Sequence, residues 1–205
     1  MRWDNLFDDL ESQLEQELSA EEVDLKAEEE RLRLARLGIR DRLYALHLLA
    51  AGEGERMLRL TLRDGSRITV TPSTFGRDWF SGELIEESGR RPSCILPIES
   101  IDGITLEANQ VAQSLDAKRR RESPSSLSAR LGLQFVLRDL CRRRQPVELQ
   151  VPQPQGTSGR IHGTIDRVGR DHLDLAVHEP GRPRRESAVT EYRIVRLSQV
   201  MLVRL

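Results

Sequence analysis

The sequence predicts an α+β protein in which an acidic amphipathic helix precedes two tandem units, each a helix followed by a small β-barrel of five strands. Three observations predict it. Residues 4–34 contain no Gly or Pro and are dominated by Glu, Leu, Ala and Gln, a helical composition. Beyond them, short alternating apolar runs are separated by turn residues at strand-like spacing. Finally, several stretches recur at an offset of 93 to 99 residues. "ARLGI" at 35–39 returns as "ARLGL" at 129–133, and Arg67-Ile68 as Arg160-Ile161. Gly76-Arg77-Asp78 returns as Gly169-Arg170-Asp171, and "LPIESI" at 96–101 shares its apolar pattern with "VRLSQV" at 195–200. A fixed period is the mark of a duplicated unit. The predicted organisation is a helix over 1–34, a first helix-plus-barrel unit over 35–108, a polar basic linker over 109–126 and a second unit over 127–205.

In the first segment Trp3, Leu6, Phe7 and Leu10 fall at i, i+3, i+4 and i+7 and form one apolar stripe. Leu18, Leu25, Leu32, Ile39 and Leu46 then recur every seven residues, like one seam of a coiled coil. Glu21, Glu28 and Arg42 occupy the companion seam, so a helix docked on a partner fits better than a long zipper.

Strands are expected near 57–62, 66–71, 78–86, 93–97 and 101–106, and again near 147–151, 159–168, 171–178, 192–197 and 200–205. Asp64-Gly65 is a hairpin dipeptide. In each unit Gly-Arg-Asp reads as the turn between the second and third strands, with the Gly expected at positive φ. Gly163 offers the bend a small barrel needs. Between the units, Pro124 and Ser125 mark a helix start. Ala129, Leu133, Val136, Leu137 and Leu140 share one face opposite Arg130, Gln134, Arg138 and Arg142, which predicts one continuous helix over 126–143.

Charge is divided along the chain. The net charge is −1, yet residues 1–30 hold twelve acids and two bases, net −10, and the remainder carries +9. Thirty of the thirty-two bases are arginine, which fits phosphate recognition but is explained more simply by a G+C-rich coding sequence, so charge alone names no nucleic-acid partner. No run of 18 apolar residues occurs, and the acids of the first helix disfavour an anionic membrane. Two cysteines, Cys94 and Cys141, make no disulfide framework and suit a cytoplasmic protein.

Catalytic patterns are missing: there is no Gly-rich phosphate loop and no Gly-x-Ser-x-Gly elbow. His162, His172 and His178 have no acid or Cys at ligand spacing and read as surface histidines, so neither a metal nor a cofactor is expected. Three basic clusters could follow a nucleic-acid backbone: Arg119, Arg120 and Arg121; Arg142, Arg143 and Arg144; and Arg182, Arg184 and Arg185.

The pattern Ile161-x-Gly163-x-Ile165-x-x-Val168 with Leu173-Asp174-Leu175 is similar to the first Sm signature, and a helix with five bent strands resembles SH3-like and Sm-like barrels. Asp174 replaces the base-holding asparagine and the Arg-Gly of the second signature is missing, so the resemblance implies the barrel without its RNA site. The whole chain resembles a group of uncharacterised actinobacterial proteins, some labelled Fis-family transcriptional regulators. That label would rest on "SARLGLQFVLRDLCRRR" at 128–144, which is similar to a Fis-type helix-turn-helix.

The expectation is therefore a non-enzymatic cytoplasmic interaction or assembly adaptor. Its protein partner, or a second copy, would be held by Trp3, Leu6, Phe7 and Leu10. The alternative is a nucleic-acid-binding regulator, transcriptional or RNA-directed, that uses the arginine clusters.

Overall fold

A computed structural model describes residues 21–49, 57–115, 127–153, 158–182 and 184–205. The chain divides into two compact units, Met1–Gly38 and Ile39–Leu205.

Within the first unit, 21–35 form helix α1, laced by Glu22–Lys26, Glu28–Arg31 and Glu30–Arg33 pairs one turn apart. Such exposed pairs, screened by solvent, add little to stability. Helical structure lapses over 36–38, so the seven-residue seam from Leu18 to Leu46 is not one helix. The stripe of Trp3, Leu6, Phe7 and Leu10 lies outside the described residues.

The second unit contains the rest of the described secondary structure. Helix α2 (Ile39–Leu49) precedes β1 (Leu58–Leu62), β2 (Arg67–Phe75), β3 (Trp79–Leu84), β4 (Ser93–Pro97) and β5 (Ile101–Thr105). Three helices follow, α3 (Ala108–Leu115), α4 (Leu127–Arg130) and α5 (Leu133–Arg142). The chain then forms β6 (Pro146–Pro152), β7 (Ser158–Val168), β8 (His172–Val177), β9 (Glu191–Arg196) and β10 (Leu202–Arg204).

All ten strands join one antiparallel sheet in the order β5-β1-β2-β3-β4-β10-β6-β7-β8-β9. Strands β1–β5 and β6–β10 follow the same internal order, and β4 meets β10 between them, with Ile95 opposite Val203 and Cys94 opposite Arg204. The chain is thus a mixed α+β protein with one large sheet. No described helix is long and apolar enough to cross a membrane.

Two apolar cores flank the β4–β10 joint, and each borrows from the other half. The first contains Leu43 and Leu46 of α2, Phe75 and Phe80, and also Met201 and Leu202 from the far end of the chain. The second contains Leu133, Leu137 and Leu140 of α5, Ile165 and Leu173, and also Trp79 and Ile95 from the first half. Burying large side chains of this kind is worth about 1.5–3 kcal/mol each, so each half stabilises the other.

Three expectations are corrected. The segment 109–126 is not wholly a linker: Ala108–Leu115 is helix and lies against α2, where Ser114 Oγ accepts from Arg42 Nη2 at 2.7 Å. The continuous helix over 126–143 is broken at Leu131-Gly132, because the first half takes those backbone groups. Leu131 C=O accepts from Arg77 N–H at 2.9 Å and from the Trp79 indole at 3.0 Å, while Asp78 Oδ1 accepts from Leu133 N–H at 2.7 Å. The third correction concerns Gly76 and Gly169, which are not among the positive-φ residues Gly65, Gly89, Gly181 and Arg144. Glycine is needed at Gly76 for space, since a Cβ there would lie 2.1 Å from Nε1 of the nearly buried Trp79; one on Gly169 would lie 2.6 Å from Cε1 of the half-exposed His172 ring, which has room to turn aside.

Candidate functional site

The two Gly-Arg-Asp turns share their hydrogen bonding. Gly76 N–H donates to Trp79 C=O at 2.8 Å, as Gly169 N–H does to His172 C=O at 2.8 Å. Asp78 C=O accepts from Ile98 N–H at 2.9 Å, as Asp171 C=O does from Leu197 N–H at 2.8 Å. Their surroundings differ. The first turn is clamped onto the α4–α5 break and Trp79 is 5% exposed; the Asp171 side chain is 82% exposed and meets His172 Nδ1 at 2.9 Å.

The same contrast separates β4 from β9. β4 is covered on its outer edge by β10, whereas among the described residues β9 pairs only with β8 and closes one end of the sheet. Tyr192 and Ile194 project from that open strand at 64% and 74% exposure. An unpaired strand edge with apolar side chains is a template for another strand.

Beside β9 lies a half-open groove of about 600 Å³ with Cys141 and Ile165 among its lining residues. Arg144, Arg167, Arg184 and Arg193 border it together with Tyr192. Three of these arginines already have partners: Arg184 holds Asp166 through two hydrogen bonds of 2.7 and 2.5 Å, Arg167 approaches Asp174 at 3.8 Å, and Arg193 meets Glu191 at 2.7 Å. Arg144 differs: its guanidinium makes no hydrogen bond or ion pair among the described residues. It closes α5 at φ 52°, where Arg144 N–H reaches Cys141 C=O and Gln145 N–H reaches Leu140 C=O. Glycine is the usual occupant of such a helix end, and a non-glycine residue there costs of order 1 kcal/mol.

The arginine clusters are thus partly gathered. Arg144 and Arg184 border the same groove, while Arg142 and Arg143 turn to Asp139 at 2.6 and 2.7 Å and Arg182 to Glu179 at 2.9 Å. Arg185 is exposed, and Arg119, Arg120 and Arg121 lie outside the described residues.

The histidines are not all on the surface. His178 is 2% exposed, with Nε2 2.9 Å from Thr164 Oγ1, and its ring meets His162 edge-on at 5.2 Å. Burial, and then the neighbouring His178, push the His162 pKa below its ordinary value of 6.5. His172 stands apart on the Asp171 turn, and no metal-binding group of three His, Cys, Asp or Glu occurs among the described residues. Burial pushes the Cys94 thiol up to about 12, which makes it a poor nucleophile.

Ile194 did not stand out in the sequence as a site residue. The available signal was "RIVR" at 193–196, where adjacent Ile194 and Val195 put an apolar residue on both faces of one strand. Comparison with known proteins finds no matching family model, no similar curated protein and no similar solved structure.

Proposed function

We propose that this chain is a non-enzymatic cytoplasmic assembly adaptor built from two tandem small barrels of the Sm-like or SH3-like kind. The observation that carries the reading is the contrast between β4, sealed by β10 within the chain, and the corresponding β9, left open with Tyr192 and Ile194 exposed. Support for a tandem origin comes from the equal strand order of the two halves and from the matched hydrogen bonds of their Gly-Arg-Asp turns. Both second strands also slip register, at Pro72/Thr74 and at Ile165/Arg167. On this reading β9 takes a strand from another molecule, with backbone hydrogen bonds giving affinity and side-chain pairs giving choice.

Affinity capture with the native chain and with Ile194→Glu, each with and without nuclease, tests the reading. Ile194 is so exposed that the variant should fold, which circular dichroism checks, and it should lose nuclease-resistant protein partners. An Ile194→Glu chain that retains every partner sinks the adaptor.

A second reading has its own observation, the left-handed Arg144 beside Tyr192 in the groove, its guanidinium without a partner among the described residues. An arginine next to an aromatic ring suits a phosphate and a stacked base of a single-stranded nucleic acid. Its affinity would fall steeply with salt, and Arg144→Ala would weaken it and flatten that slope by about one unit. Salt-independent or absent binding of a single-stranded oligonucleotide removes this alternative.

A further inference from the structure

Resting on the adaptor reading, we infer that the partner of the β9 edge is a second copy of this chain, which lays its β5 against β9 and propagates a head-to-tail assembly. The joint inside the chain supplies the pattern. It brings the outer edge of a fourth strand, β4, to the outer edge of a fifth strand, β10. Repeating the order of the first half in the second leaves a fifth-strand edge, β5, at one end of the sheet and a fourth-strand edge, β9, at the other. The free ends are therefore the two surfaces that already meet once within the molecule. They differ from each other, so the contact is heterologous and one copy presents both halves of it.

The internal register can be carried over. Ile95 lies opposite Val203, and Cys94 opposite Arg204. The sequence correspondence sets Ile194 in the place of Ile95 and Ile104 in the place of Val203, so Ile194 falls opposite Ile104 of the next copy. Leu205 N–H donates to Ser93 C=O at the far end of the internal joint, and the same step puts Tyr192 beside Leu106 of the next copy. These pairs are two β-branched residues and an aromatic with an aliphatic, combinations that stabilise adjacent strands.

Burial agrees position by position. Ile95 is 3% exposed under β10, whereas Ile194 is 74% exposed. Val203 is fully buried, whereas Ile104 is only half-buried. The residues left uncovered at the two ends of the sheet are those whose counterparts the internal joint covers. The turn beside β9 adds a second tie. Asp78 accepts the Leu133 N–H at the start of α5, and the exposed Asp171 carboxylate, whose Oδ1 meets His172, would accept the Ile39 N–H at the start of α2 in the next copy.

Size-exclusion with light scattering on the full chain tests this directly. The native chain should run at a multiple of its 23.4 kDa mass, rising with concentration or closing at a fixed ring size. Ile194→Glu should return it to the single-chain mass with an unchanged circular dichroism spectrum. Mixing an Ile194→Cys chain with an Ile104→Cys chain under oxidation should give the mixed disulfide dimer. A dominant Ile194→Cys self-dimer, or a native multimer that Ile194→Glu leaves intact, overturns the head-to-tail contact. A single-chain mass at every concentration also overturns it; edge-dependent capture of other proteins would then leave the adaptor reading standing, and its loss would remove both.

Discussion

At the scale of single residues, two positions show how little room this fold leaves. The Trp79 ring folds back over Gly76, where a Cβ would come within 2.1 Å of Nε1. Gly76→Ala must displace an indole that is nearly buried and hydrogen-bonded to Leu131, at a cost of about 1–3 kcal/mol by thermal or urea unfolding. No similar loss is expected at Gly103, where a Cβ meets only open space. The second position is His162, whose Nε2 is buried with no hydrogen-bond partner in the described structure and whose folded pKa lies below its ordinary 6.5. The unfolded chain then binds more protons than the folded one just below pH 6.5, so stability is full above that pH and falls as the pH drops toward the lowered folded value. Unfolding curves between pH 7.5 and 5 should show this fall, and His162→Gln should flatten it; an unchanged slope would remove His162 as the cause. The glycine was legible as a repeated Gly-Arg-Asp, but its reason was not, because the ring that excludes a side chain is visible only in three dimensions.

Among elements, the α4–α5 break shows where local pattern fails. Ala129, Leu133, Val136, Leu137 and Leu140 keep a helical period straight through Gly132, so the glycine and the helix-turn-helix likeness are the only local signs of an interruption. The break is specified from 55 positions away, by an Asp78 carboxylate that satisfies the Leu133 N–H at the start of α5. Asp78→Ala leaves that backbone group without its acceptor, and a loss of about 1–3 kcal/mol is expected in chemical denaturation. Asp78→Asn keeps an acceptor and should recover part of it; equal losses in both variants would mean that the carboxylate acts elsewhere. Strands were easier to read than helices. Leu58, Leu60 and Leu62 alternate with Arg59 and Thr61 as a half-buried strand requires, and all three leucines are buried. β4 was legible as a strand because of its apolar run, but its second neighbour was not, since a ladder between residues a hundred positions apart leaves no local trace.

For the whole molecule, the joint between β4 and β10 has a consequence in time. Met201, whose backbone carbonyl accepts from Ser100 Oγ at 2.8 Å across 101 positions, belongs to the core around Phe75 and Phe80. During synthesis every other part of that core leaves the ribosome before Met201 and Leu202 do. Pairing so remote in sequence is slow to form, because the entropy of closing the intervening loop is lost before the contact repays it. The first half should therefore wait, incompletely packed and with the β4 edge bare, until the second half has emerged. Met201→Ala should lower stability by about 2–5 kcal/mol and raise protease sensitivity within β1–β4, far from the substituted residue in the sequence. Nascent chains arrested near residue 120 should be cut in that same region, and resistance there should appear only once β10 has been made. A first half already resistant at that length would mean that it folds alone and that the exchange of side chains across the joint is a late adjustment.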